Sequence, residues 1–406
     1  MERLLALMGE KRASDLYIAA GAAIQIKING QMIAVNQQRL DPSMVETLLR
    51  EVLPEAQWLR FEQDNELNVG YGLRGVGSFR FSLFRQRGSP AAVIRYIPGE
   101  IPALDTLGLP PFLAEAVLEK RGLVLVVGAT GSGKSTTLAS LVDHRNHRLP
   151  GHILTLEDPI EYTFRHRRSL VNQRQIGTDT ATLGVALRNA LRQAPDCLMI
   201  GEIRDPESMA AAIAYAQSGH LVLSTLHANN AVHALNRIVN FFAPENRRVM
   251  LADLAVTLRC VISQRLVKNS AGGRTPAVEV MLNTTLISEL IEQGRVSDIK
   301  DAMEKSLTPG TQTYEHALVE LVRNKRVALD DALAQADSPT NLLWLLENAD
   351  SLPVGSGAAL SPASGATAHG SPLHGAAPGG LMHAPHASSS RPVGDASSFN
   401  DFLLNI

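Results

Sequence analysis

Gly128-Ala-Thr-Gly-Ser-Gly-Lys-Ser-Thr136 decides the fold of this 406-residue chain. It satisfies the spacing G-x-x-x-x-G-K-[ST], with Gly128, Gly133, Lys134 and Ser135 at the fixed positions. The apolar run Leu123–Val127 precedes it, and Thr137 to Asp143 reads as a helix. A buried strand, a glycine-rich turn and a helix are the parts of a phosphate-binding loop. Its nine residues, Gly128, Ala129, Thr130, Gly131, Ser132, Gly133, Lys134, Ser135 and Thr136, are expected to hold a nucleotide. The glycines let backbone N–H groups converge on phosphate oxygens, and the helix start adds a positive dipole end. Lys134 can reach the β/γ-phosphates and the Ser135 hydroxyl can hold Mg²⁺.

Around this loop the apolar runs His152–Leu156, Cys197–Ile200 and Leu221–Thr225 alternate with helical stretches. That order predicts an α/β fold with a parallel sheet covered on both faces. Before it, residues 1–97 read as a small α+β domain. Met1 to Gly9 reads as a helix and Ile24–Ile28 as a half-buried strand, with Asn29-Gly30 as a hairpin turn before Gln31–Val35. Helical spacing runs from Pro42 to Leu59, and further strands are expected at Leu67–Tyr71, Ser78–Phe84 and Ala91–Tyr96. Arg80, Arg85, Arg87 and Arg95 there either line a solvated strand face or reach a phosphate from the domain edge. A hinge rich in turn residues occupies 98–102, the nucleotide core 103–283, and a helical region 284–349. Residues 350–406 are dominated by Ala, Gly, Ser, Pro and His. Such a tail cannot bury a core and is expected to be disordered, its histidines too widely spaced for a metal tract. It ends in Phe399-Asn-Asp-Phe-Leu-Leu-Asn-Ile406, either a docking peptide or a plain terminus.

Composition narrows the function. Net charge is −2 and aromatic residues make up 4%, so neither a basic groove nor a stacking platform for nucleic acid is expected. The two cysteines, Cys197 and Cys260, give no disulfide framework and no four-cysteine zinc site. No apolar run approaches the ~20 residues of a membrane span, so membrane contact is expected only through partner proteins.

Three further stretches carry chemistry. Thr155-Leu-Glu-Asp-Pro-Ile-Glu161 sets Glu157, Asp158 and Glu161 beyond a strand, where an α/β sheet places its ligands. Hydrolysis needs such a group to orient or deprotonate water. Leu198-Met-Ile-Gly-Glu-Ile-Arg-Asp205 is a strand ending in an acid, and Glu202 is suited to hold Mg²⁺ through water. His220 and His227 flank the strand Leu221–Thr225; they are expected to sense a γ-phosphate or to couple adjacent subunits. Arg174 accompanies them. Arg188 and Arg192, four apart on an expected helix, share a face and are read either as solvated or as arginine fingers reaching a neighbouring subunit.

Gly128–Thr136, His152–Tyr162, Leu198–Ser208 and Ser218–Ala228, in this order, resemble the Walker A, Asp box, Walker B and His box of secretion-superfamily ATPases. Among these the chain resembles the PilT/PilU type IV pilus retraction motors over about residues 1 to 345, supported by Gln173–Thr180 and the start Met1–Met8. The resemblance implies a PAS-like N-terminal domain packed on a RecA-like core, in a homohexamer that binds ATP between subunits. It implies Glu161 as the catalytic carboxylate, Glu202 as the Walker B acid and His220 and His227 as His-box residues. Arg174, Arg188 and Arg192 occupy positions similar to the family's arginines. The implied setting is the cytoplasmic face of an inner membrane, with a pilus platform protein and a PilT-type motor as partners. The late helix Leu286–Glu292 lacks the two arginines of the retraction type, which favours the PilU-type accessory role. A type II or type IV secretion or conjugation ATPase, and a non-hydrolysing ATP-binding subunit of a mixed motor, are the alternatives.

Overall fold

The computed structural model describes residues 1–28, 30–306 and 308–348. The tail 350–406, expected to be disordered, lies outside the described residues, as does Asn29 of the expected hairpin turn.

The N-terminal strands are Asp15–Ala19 (β1), Ala23–Ile28 (β2), Gln31–Arg39 (β3), Glu66–Leu73 (β4), Gly77–Gln86 (β5) and Ser89–Pro98 (β6). They form one antiparallel sheet in the order β3-β2-β1-β6-β5-β4. Ile28 pairs with Gln31, so two residues join β2 and β3, as the Asn-Gly pair predicts. The helical spacing after Pro42 divides into Pro42–Arg50 and Glu55–Asp64. Pro54 separates them, because it has no N–H to donate to the preceding turn. Leu5 and Met8 of the first helix, Val45, Leu49, Trp58 and Phe61 pack with Leu16, Ile26, Phe79, Phe81 and Ile94 in one core. On the strand face outside that core Arg95 pairs with Asp15 at 3.0 Å. Arg85 lies at the end of the core face of β5, its guanidinium over the Phe61 ring. Both side chains have partners within this sheet and its helices.

The second sheet contains Gly122–Val127 (β7), Gly151–Glu157 (β8), Ser169–Gln175 (β9), Cys197–Ile200 (β10), Leu221–Leu226 (β11), Leu258–Lys268 (β12) and Arg274–Leu282 (β13). Its order is β13-β12-β7-β11-β10-β8-β9. All neighbours run parallel except β12 and β13. Every residue of β7 is buried, because both faces are covered. Leu123, Leu125 and Val127 face one core with Leu198, Val222 and the helices Pro206–Gln217 and Ala231–Phe241. Val124 and Val126 face the other, with Leu138 and Leu141 of the helix Lys134–Arg148. This mixed α/β architecture is the expected fold class.

Among the described residues five α-helices follow β13, from Thr285–Glu292 to Pro339–Glu347. Tyr314, Leu318 and Leu342 pack over Val267 of β12 and Ala277 of β13.

Candidate functional site

Parallel register determines what meets at the carboxyl edge of this sheet. Val127 lies opposite Leu226, Ser224 opposite Ile200, and Ile200 opposite Leu156. The segments that follow these strands therefore emerge side by side: the glycine loop, His227, Glu202 and the acidic stretch Asp158–Glu161. That edge is where open α/β sheets bind ligands.

The glycine loop is shaped by its neighbours. Gly128, Gly131 and Gly133 have φ of 155°, 80° and 93°. A Cβ on Gly128 would fall 2.5 Å from the Gln264 carbonyl oxygen, and one on Gly133 would fall 2.7 Å from Gln264 Nε2. These positions need glycine both for backbone angle and for room. Gln264 of β12 also accepts a hydrogen bond from the Thr137 hydroxyl at 2.7 Å, tying the helix to the sheet. Ala129, Thr130, Gly131 and Ser135 are exposed at the edge. The buried Ser132 hydroxyl has no hydrogen-bond partner. The Thr136 hydroxyl contacts the Tyr162 hydroxyl at 2.9 Å. Lys134 folds back over the loop and donates to the Gly128 and Ala129 carbonyls, both at 2.9 Å. Burial lowers its pKa, while the nearby Glu202 and Glu161 carboxylates oppose that shift.

Glu202 sits between two partners: Arg204 Nε at 2.7 Å and His227 Nε2 at 3.0 Å. The same Arg204 reaches Asp158 at 3.6 Å, linking the two acidic segments. Burial lowers the His227 pKa, and the Lys134 and Arg237 charges add to this against Glu202. The imidazole is thus held neutral near pH 7. Below Glu161, Glu157 is buried and accepts from the Thr155 hydroxyl at 2.6 Å and Gln173 Nε2 at 3.0 Å. Desolvation raises its pKa. Its place in the sheet makes it a support for the acidic turn, while Glu161 is only half-buried.

The structure brings Lys134, Glu161, Glu202 and His227 to the edge that carries the glycine loop with Ser135, and gives His220, Arg174, Arg188 and Arg192 partners of their own. His220 precedes β11, whose first residue Leu221 pairs with Gly122 at the start of β7. Six residues of strand, ~20 Å at 3.3 Å each, separate it from His227. The expectation that His220 binds the nucleotide is therefore corrected for its own chain's loop. Its ring instead meets the Ser218 hydroxyl at 3.0 Å. Arg188 and Arg192 do not share one regular helix face. The α-helix covers Leu183–Ala190, and Arg192 falls in the tighter 3₁₀ turn Leu191–Gln193. Leu191, the first residue of that turn, is 51% exposed. Arg188 pairs with Glu207 at 3.2 Å, and Arg192 donates to Asn189 at 3.3 Å. Arg174 on β9 donates to the Asp179 carbonyl at 3.2 Å, while its Nη1 is buried without a partner. Sequence reasoning missed Arg204, although it lies two residues after Glu202, and Arg237, which reads as one cation on an amphipathic helix.

Strand–glycine loop–helix, with acids and a neutral imidazole at one parallel-sheet edge, defines a P-loop ATPase of the RecA-like kind. The family model "Type II/IV secretion system protein" matches residues 2–306. The type IV pilus ATPase PilU of Pseudomonas aeruginosa is 44% identical over 347 residues, 85% of this chain and 91% of that one. The retraction ATPase PilT of the same organism is 37% identical over 338 residues, 83% and 98% of the two chains. A crystal structure of the pilus retraction motor PilT with bound ADP superposes with a TM-score of 0.77 at 38% identity, covering 84% of this chain and 99% of that one. The chain belongs to the type II/IV secretion ATPase family, in its type IV pilus retraction branch.

Proposed function

We propose that the chain hydrolyses ATP as a hexameric motor of a type IV pilus machine and acts in retraction as a PilU-type accessory subunit. The observation that carries this reading is the convergence of Lys134, Glu161, Glu202 and His227 on one sheet edge. Lys134 leaves the loop carbonyls to grip the terminal phosphates. Glu161, half-buried and near Lys134, orients and deprotonates the attacking water. Glu202 holds His227, so that a change at the phosphates reaches the loop after β11. Ser135 directly, and Glu202 through water, would hold Mg²⁺, which would neutralise charge on the phosphates. Arg188 and Arg192 on the exposed surface are available to a neighbouring subunit's site, and His220 to subunit coupling. The γ-phosphate state then biases two arrangements of residues 1–97 against 103–283 about 98–102.

No helix among the described residues is long and apolar enough to cross a membrane. We infer that this motor acts from the cytoplasmic face of the inner membrane through a platform protein. ATP turnover by the purified chain, alone and mixed with a PilT-type motor, tests the reading beside Glu161→Ala. Turnover that disappears in Glu161→Ala is the expected result. No turnover alone but altered turnover in the mixture would favour the non-hydrolysing subunit.

A further inference from the structure

Beside the glycine loop lies an open cleft of about 650 Å³, bounded by Gly128 and Ala129 on one side and His227 at its floor. Its far wall is the polar face of the helix Ala231–Phe241, which carries His233, Asn236, Arg237 and Asn240. Ala231, Ala234, Leu235 and Ile238 on the opposite face are buried, so packing fixes which side chains line the cleft.

Arg237 differs from the other cations there. Arg204 is paired with Glu202 and Asp158, and Lys134 is bonded to loop carbonyls. Arg237 has no carboxylate within ion-pair distance among the described residues. Its guanidinium lies over the Phe241 ring, 5.8 Å from the centroid. A cation in a cleft that opens on a phosphate loop, with its charge unspent on any acid, is a site for an anion. The helix is also fixed at its start. Asn230 caps it by accepting the His233 N–H at 2.8 Å, and buried Glu279 accepts the Ala231 N–H at 2.8 Å. Arg237 is therefore carried on a wall that does not drift.

We propose that Arg237 binds the terminal phosphoryl group of a nucleoside triphosphate in its own chain's site, so that the cleft distinguishes triphosphate from diphosphate. The proposal rests on the ATPase reading and adds a γ-phosphate ligand in cis, separate from any arginine of a neighbouring subunit. With the phosphoryl group lost, Arg237 loses its partner while the loop keeps its own.

Calorimetric titration of the full-length hexamer with Mg·ADP and with non-hydrolysable Mg·AMP-PNP tests this, using wild type, Arg237→Ala and Arg237→Lys. Arg237→Ala is expected to weaken AMP-PNP at least about tenfold and ADP by less than about twofold, as loss of one charge-assisted hydrogen bond requires. Arg237→Lys is expected to recover part of the difference. Equal weakening of both nucleotides, or no change in either, would overturn the proposal. So would dissociation of the ring at unchanged nucleotide affinity, which would make Arg237 an assembly residue. A wild-type protein that binds neither nucleotide would instead sink the ATPase reading itself.

Discussion

At the scale of single residues, Lys134 and Glu202 are each engaged by groups of their own chain. The Lys134 amine rests on two carbonyls of its own loop, and burial already weakens its hold on a proton. An anionic phosphate reverses that effect, because an opposite charge close by favours the ammonium. Lys134→Ala is therefore expected to abolish ATP turnover while leaving the melting temperature within a few degrees of wild type. Phosphate-release kinetics and thermal unfolding check the two halves. Hydrolysis at the wild-type rate would remove this loop from the mechanism. Glu202 is held between Arg204 and His227. Both acids and the lysine were legible in the sequence, because each sits at a fixed offset from a glycine or a strand end. Arg237 was not, since nothing in a helical pattern shows which exposed cation faces a cleft.

At the scale of elements, the loop after β11 is stitched to the outer strands and to the C-terminal helices. Glu279 of β13 accepts from the Ala231 N–H and from the Ser263 hydroxyl at 3.1 Å. Arg265 of β12 donates to the Asn229 carbonyl at 3.2 Å and pairs with Asp337 before the last helix. Burial pushes the Glu279 pKa up to about 7, with Asp337 adding to the rise and Arg265 opposing it. The folded value exceeds the unfolded one, so this group's contribution to stability is complete below about pH 4.5 and is lost as pH rises through 7. Glu279→Gln keeps an oxygen for both donors and removes the ionisation. It is expected to add up to about 3 kcal/mol of stability at pH 8, raising the melting temperature there, and to match wild type at about pH 4. Thermal unfolding across that range checks it; a constant offset would show that packing, not charge, decides. The strands that sequence reading missed are β1, β9, β12 and β13. In β9 polar residues alternate with Val171, and Leu170 is half exposed, so the edge strand carries too little apolar signal to declare itself. The central strands β7, β10 and β11 were legible, because burial on both faces writes an uninterrupted apolar run.

At the scale of the whole molecule, a motor must pass the state of its nucleotide site to the N-terminal sheet. The described chain shows where the two meet. Gly70 of β4 faces the acidic turn. A Cβ there would lie 2.8 Å from Gln175 Oε1, 3.4 Å from Pro159 Cβ and 3.6 Å from the Ile160 carbonyl oxygen. Gln175 is buried, and the same Oε1 accepts the Ile160 N–H at 3.2 Å, one residue before Glu161. The missing side chain on β4 therefore leaves room for the turn that presents the proposed water-activating carboxylate. Gly70→Val suits a strand and leaves the glycine loop untouched, yet it would push Gln175 off Ile160 and shift Glu161. Displacing a reacting group by ~1 Å costs on the order of a hundredfold in rate. The expected outcome is a loss of turnover of about tenfold or more, with ADP affinity and melting temperature close to wild type. Steady-state kinetics beside ADP titration separates this from damage to the nucleotide site. Unchanged turnover would show that the N-terminal sheet rides on the core without setting its chemistry, and the route from nucleotide to movement would then run through the loop after β11 and the Arg265–Asp337 pair instead.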